Sequence, residues 1–192
     1  MITNEQYRRE AESIGLSFAH LKAIAEVETE GQGFFSPGIP KILFERHIFY
    51  RQLVKNCGQA FAETVRKTHP ELCNPSQSKS YGKYSEQHPK LQQAVAIHRQ
   101  SALEACSWGA GQVLGSNWKA LGYESVQQLV NDAYSDYGQL KMMVRFLKAN
   151  PAIILAAKSE NWKVVAQLYN GPEYYKNNYD VKMRDAYREL TK

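Results

Sequence analysis

Three glutamates stand at alternate positions in A-I-A-E-V-E-T-E-G-Q-G-F, residues 23–34: Glu26, Glu28 and Glu30. A carboxylic acid that keeps its proton near neutral pH can protonate a leaving group. On a helical period Leu21, Ile24, Ala25 and Glu28 share one face, and Glu26 and Glu30 point elsewhere. Burial against apolar neighbours penalises the charged form of a carboxyl and raises its pKa. Glu28 is thus the candidate general acid. Taken alone, the segment is read more simply as a helix whose glutamates all face solvent.

Other chemistries have less to build on. His20, His47, His69, His88 and His98 show no H-E-x-x-H or other ligand spacing, so no metal site is expected. There is no G-x-S-x-G elbow, Walker loop or dinucleotide fingerprint. G-A-G-Q-V-L-G lacks the Lys-Ser/Thr of a phosphate loop. Cys57, Cys73 and Cys106 have no C-x-x-C spacing and are read as free thiols of a protein made in a reducing compartment. What remains is carboxyl chemistry beside Tyr, Trp, Asn and Gln side chains, which suit sugar rings and N-acetyl groups; helix packing explains most of the tyrosines equally well.

The elements that must position these residues are mostly helical. A short amphipathic helix is expected over 4–14, capped by Thr3 or Asn4 and stopped at Gly15, and a second over 17–30 ending in glycines. F-F-S-P-G-I-P then reads as a loop. Residues 41–44 fit a strand or a helix. Helices are expected over 45–55, 59–67, 89–103, 126–133, 136–149, 151–158, 161–169 and 180–190, with another near 109–114. Residues 68–89 are polar and turn-rich, a surface loop or small lobe whose length favours a functional role.

A chain of 192 residues can bury a substantial core, and a single domain over 1–192 is expected. With 24 Lys and Arg against 19 Asp and Glu, the net charge of +5 is modest and spread out. There is no basic run, so nucleic-acid binding is not expected; a mild positive field favours an anionic polymer or envelope surface, or serves solubility alone. No segment reads as a signal peptide or a membrane span.

Three further segments bear on function: P-K-I-L-F-E-R-H-I-F-Y-R at 40–51, C-S-W-G-A-G-Q-V-L-G-S-N-W at 106–118, and A-Q-L-Y-N-G-P-E-Y-Y-K-N-N-Y-D at 166–180. In order with V-E-T-E-G-Q-G-F, they resemble the N-acetylmuramidase domain of bacteriophage endolysins, a relative of goose-type lysozymes and soluble lytic transglycosylases. The resemblance covers nearly the whole chain and implies a mostly α, lysozyme-like fold with a glycan cleft. Glu28 matches the family's acid, with Thr29 where Ser is more usual. Ser107, Gly109 and Gln112 match an S-x-G-x-x-Q segment, in which the serine can hold the acid's rotamer and Gln112 can meet a sugar substituent. Tyr169 and Asn170 match a Tyr-Asn segment that fixes the sugar beside the acid. Each segment has a structural alternative, since S-W-G-A-G-Q-V fits a helix start and Y-N-G-P fits a helix stop.

An inverting glycosidase also needs a base, its carboxyl ~6.5–9.5 Å from that of the acid. Glu45 is best placed by resemblance; a structural ion pair with Arg46, or a charge at a helix start, explains it as well. The resemblance implies cleavage of the β-1,4 bond between N-acetylmuramic acid and N-acetylglucosamine in peptidoglycan, for host lysis. It implies a monomer acting on glycan strands without cofactor, metal, nucleic acid or membrane insertion. Such a protein is made in the host cytoplasm, acts on the wall after release, and shows no separate wall-binding module in this sequence. Two alternatives stand: a lytic transglycosylase leaving 1,6-anhydro ends, and a non-catalytic peptidoglycan-binding module.

Overall fold

The first two helices follow their sequence signals closely. Helix α1 (Asn4–Ser13) begins with a full capping box: the Thr3 side chain accepts from Gln6 N, and the Gln6 side chain accepts from Thr3 N. The chain turns at Gly15, with φ of 70°, before α2 (Phe18–Glu28). The computed structural model describes residues 2–28, 33–78 and 80–192; Thr29 and Glu30 lie outside them. In α2, Leu21 and Ile24 are fully buried and Ala25 nearly so, whereas Glu26 is exposed and 3.8 Å from Lys22. Each such buried Leu or Ile contributes roughly 1.5–3 kcal/mol.

After α2 come β1 (Phe34–Ser36), β2 (Ile39–Pro40) and β3 (Ile42–Phe44), then α3 (Arg46–Cys57) and α4 (Gln59–Thr68). Residues 42–44 of the 41–44 stretch thus resolve as strand. The polar 68–89 segment holds one 3-10 turn, Tyr84–Glu86, and runs into α5 (Gln87–Glu104). Helix α5 starts two residues ahead of the expected position. Pro89 falls in its first turn, where the missing N–H has no intrahelical partner to lose. The helix is interrupted at His98, whose φ of −156° and ψ of 103° are extended.

Residues 109–114 are not helical. Strands β4 (Cys106–Trp108) and β5 (Val113–Leu114) form a hairpin there, joined to β3 in the order β3-β4-β5, all antiparallel. Left-handed φ values at Gly109 (68°) and Gln112 (45°) reverse the chain between the strands, which a helix could not accommodate. Helices α6 (Val126–Ala133), α7 (Asp136–Ala149), α8 (Pro151–Lys158), α9 (Trp162–Asn170) and α10 (Tyr179–Leu190) complete the chain.

The chain divides into two compact units. The first joins the N-terminal residues through α2 with Asp136–Lys192, and the second is continuous over Gly33–Ser135. In the first, α2 packs on α10, and Leu21, Ile24, Leu147, Ile153, Val165 and Met183 are core residues. In the second, α3 packs on α4 and α5, and Phe49, Leu53 and Trp108 are fully buried. Cys57, Cys73 and Cys106 are free thiols.

Candidate active site

Glu28 lies one turn beyond Ile24 on the buried face of α2, and its side chain is half-buried. Burial pushes its carboxyl up to about 7, outweighing the opposing effect of a hydrogen bond from Asn170. That bond, Asn170 Nδ2 to Glu28 Oε1, is 2.8 Å long. Asn170 is the last residue of α9, which stops at Gly171, where φ is 82°. Glycine supplies that left-handed turn at little cost, so Y-N-G-P ends the helix and also presents the Asn170 amide to Glu28.

Tyr169 packs edge-on to Phe146, with ring centroids 5.0 Å apart. Burial first, and the charge of Glu28 second, hold its phenol well above the usual range, so it remains a neutral hydroxyl. Glu28, Tyr169 and Asn170 therefore form one constellation in the first unit. At neutral pH it supplies a half-protonated carboxyl in a partly dry setting, with one oxygen already engaged.

The second unit carries the other constellation. Glu45 is the N-cap residue of α3, yet its side chain makes no capping bond. Its Oε1 instead accepts a 3.2 Å hydrogen bond from Ser107 Oγ, and its Oε2 is 3.8 Å from His47 Nε2. The β-ladder sets this up: Ser107 pairs with Leu43 and Leu114, and Glu45 N continues the pairing to Ala105 O at 2.9 Å. Ser107, expected to hold Glu28, is thus the partner of Glu45. Gln112 is exposed and folds back on its own turn, Nε2 donating to Gly109 O at 2.8 Å.

Two neighbours of Glu45 carried no sequence signal beyond proximity in L-F-E-R-H and a tyrosine in a polar loop. His47 is buried, and burial lowers its pKa although Glu45 opposes this, so it is neutral at pH 7. Tyr81 Oη lies 3.4 Å from His47 Nδ1. The loop that brings Tyr81 there is pinned by buried Gln87, whose Nε2 donates to Tyr81 O (2.8 Å) and Lys83 O (2.9 Å) while its Oε1 accepts from Phe44 N (3.1 Å). Among the described residues no group of three His, Cys, Asp or Glu is placed to hold a metal ion.

Known proteins place this arrangement in context. The model of the N-acetylmuramidase family matches residues 17–191. The crystal structure of the Burkholderia AP3 phage endolysin superposes with a TM-score of 0.87 at 37% identity, covering 99% of this chain and 71% of that one. No curated protein sequence matches the chain significantly.

Proposed function

We propose, since this chain belongs to the N-acetylmuramidase family and is a glycoside hydrolase of the lysozyme type, that it cuts the β-1,4 bond between N-acetylmuramic acid and N-acetylglucosamine with Glu28 as general acid. The observation that carries this is the half-buried Glu28 carboxyl, raised to about 7 and held by Asn170. With Oε1 accepting from Asn170, Oε2 carries the proton that passes to the glycosidic oxygen as the C–O bond breaks. The acceptor bond also fixes the carboxyl's rotamer, which keeps the proton aimed at the leaving oxygen.

Glu45 takes the role of base. It accepts a proton from the attacking water, and the Ser107 hydroxyl holds its other oxygen in place. Tyr169 and Asn170 position the sugar next to the acid. In this reading the protein acts as a monomer on glycan strands, is made in the host cytoplasm, and lyses the host from within. Digestion of purified peptidoglycan by the protein and by Glu28→Gln, with mass analysis of the fragments, tests it. Hydrolysis leaves reducing N-acetylmuramic acid ends; no fragments, or fragments equally abundant with Glu28→Gln, would remove Glu28 from the mechanism.

A further inference from the structure

The second unit holds a groove along α5 and α6 that the chemistry above does not use. Arg99, Trp118, Lys119, Glu124 and Gln127 line one end. From Arg99 and Gln127 it continues past Gln92 and Asn131 to Tyr134. Glu45, Ser107 and Gln112 are not among its lining residues. Val126, Gln127, Val130 and Asn131 of α6 line it.

The Trp118 ring is fixed from inside the protein. Its Nε1 donates at 2.8 Å to Oε1 of Glu104, a side chain only 2% exposed. Gln100 Nε2 donates to the same oxygen at 3.0 Å, and Asn56 Nδ2 to Oε2 at 2.9 Å. A buried acid group is costly to leave without partners, so these three donors lock the indole's orientation. With its N–H edge bonded inward, the half-buried ring lines the groove in a fixed orientation.

Cations and amides share the groove with the ring, with Lys119 over one of its faces. Lys119 Nζ lies 5.0 Å from the Trp118 ring centroid, and Arg99 Nη2 donates to Gln127 Oε1. A pyranose stacks its C–H face on an indole, its N-acetyl group meets side-chain amides, and a carboxylate meets Arg and Lys. Glu124 on the same rim disfavours a dense polyanion and leaves room for sparse carboxylates.

We propose that this groove is a second binding site for peptidoglycan, taking an amino-sugar ring on Trp118 and the carboxylate of its attached peptide between Arg99 and Lys119. The proposal rests on the peptidoglycan-hydrolase reading. Such a site holds the enzyme on the wall between cuts without taking part in the cut.

The indole N–H resonance of Trp118, one of three tryptophans and assigned through Trp118→Phe, reports occupancy directly. A soluble disaccharide-tetrapeptide is titrated into Glu28→Gln protein, so that binding is read without cleavage. The Trp118 signal should shift saturably. Arg99→Gln with Lys119→Gln should weaken the affinity about fivefold, as two exposed charge contacts allow, while neutral chitotetraose loses less than about half that factor. In the active protein the same pair of substitutions should leave cleavage of soluble fragments unchanged and reduce the protein sedimenting with intact walls. An unmoved Trp118 signal, or an affinity that the double variant leaves unchanged, would overturn the proposal. Failure of the active protein to cut walls at all would instead count against the hydrolase reading, whatever the titration shows.

Discussion

Asn170 donates a hydrogen bond to Glu28 across 142 positions of sequence. Two ordinary features, a helix stop and a glutamate at the end of an apolar stripe, meet in one unit of the fold. Burial makes Glu28 hold its proton, and Asn170 moderates that effect. The two act on the same carboxyl in opposite directions, so each can be tested through the other.

Glu28→Gln keeps the shape and the acceptor for Asn170 but has no proton to give. Peptidoglycan cleavage should fall at least 10²-fold, within the ~10²–10⁴ range of general acid catalysis. Glu26→Gln, on the exposed side of α2, should stay near wild type. Turbidity loss of purified walls measures both, and Glu28→Gln activity within about threefold of wild type excludes the assignment.

Asn170→Leu removes the Asn170 hydrogen bond that lowers the Glu28 pKa while keeping the surroundings dry. The alkaline limb of the pH–rate profile, expected near 7 in wild type, should move to higher pH. A limb that stays put or moves down would show that Asn170 does not act through the carboxyl.

Stability carries the same signature. The folded-state pKa of Glu28 is raised, from 4.5 to about 7, so the folded protein binds more protons than the unfolded one between those values. The carboxyl therefore costs nothing below about pH 4.5; its ionisation penalty grows as pH rises from 4.5 to 7 and is complete above that. The full penalty is of order 3 kcal/mol. Glu28→Gln should accordingly be more stable than wild type above pH 7 and nearly equal to it at pH 4. Melting curves at the two pH values decide this; a pH-independent difference would contradict the burial account.

Glu45→Gln should impair hydrolysis strongly while the hairpin remains folded, and Ser107→Ala should do so more mildly by freeing one oxygen of Glu45. Product ends provide the second readout. Reducing muramic acid ends agree with a water-activating Glu45. A predominance of 1,6-anhydro ends, with Glu45→Gln still active, would mean that the sugar's own 6-hydroxyl attacks and the enzyme is a transglycosylase.

Gly115 follows β5 and leaves no room for a side chain: a Cβ there would sit 2.2 Å from Leu103 O. Gly115→Ala should destabilise the second unit by roughly 1–3 kcal/mol, the usual cost of overpacking. Thermal or urea unfolding measures this, and an unchanged midpoint would refute the close approach.

Periodicity made the helices legible and set Glu28 one turn beyond buried Ile24, although α2 is buried nearly all round and Glu26 alone of its residues is exposed. It could not show how deeply Glu28 is buried, since its partner Asn170 comes from α9, far along the chain. The 109–114 segment was misread for a local reason. S-W-G-A-G-Q fits a helix start by composition, and only the left-handed backbone of Gly109 and Gln112 makes it a hairpin turn. Ser107 was legible as a site residue by resemblance, but its partner depends on the β3–β4 register, which no single segment encodes. The Trp118–Glu104 pairing is not legible in the sequence, because the bond joins a helix end to a loop that follows a sheet.

The first unit is assembled from both ends of the described chain, with the continuous second unit between them. During synthesis, Glu28 leaves the ribosome early and waits for more than a hundred residues before α9 can cover it. Until then it is an ordinary hydrated carboxyl, ionised at pH 7 and without a proton to donate. The raised pKa of Glu28 is therefore a property the chain acquires late, and a chain interrupted before α9 carries the carboxyl without its Asn170 partner.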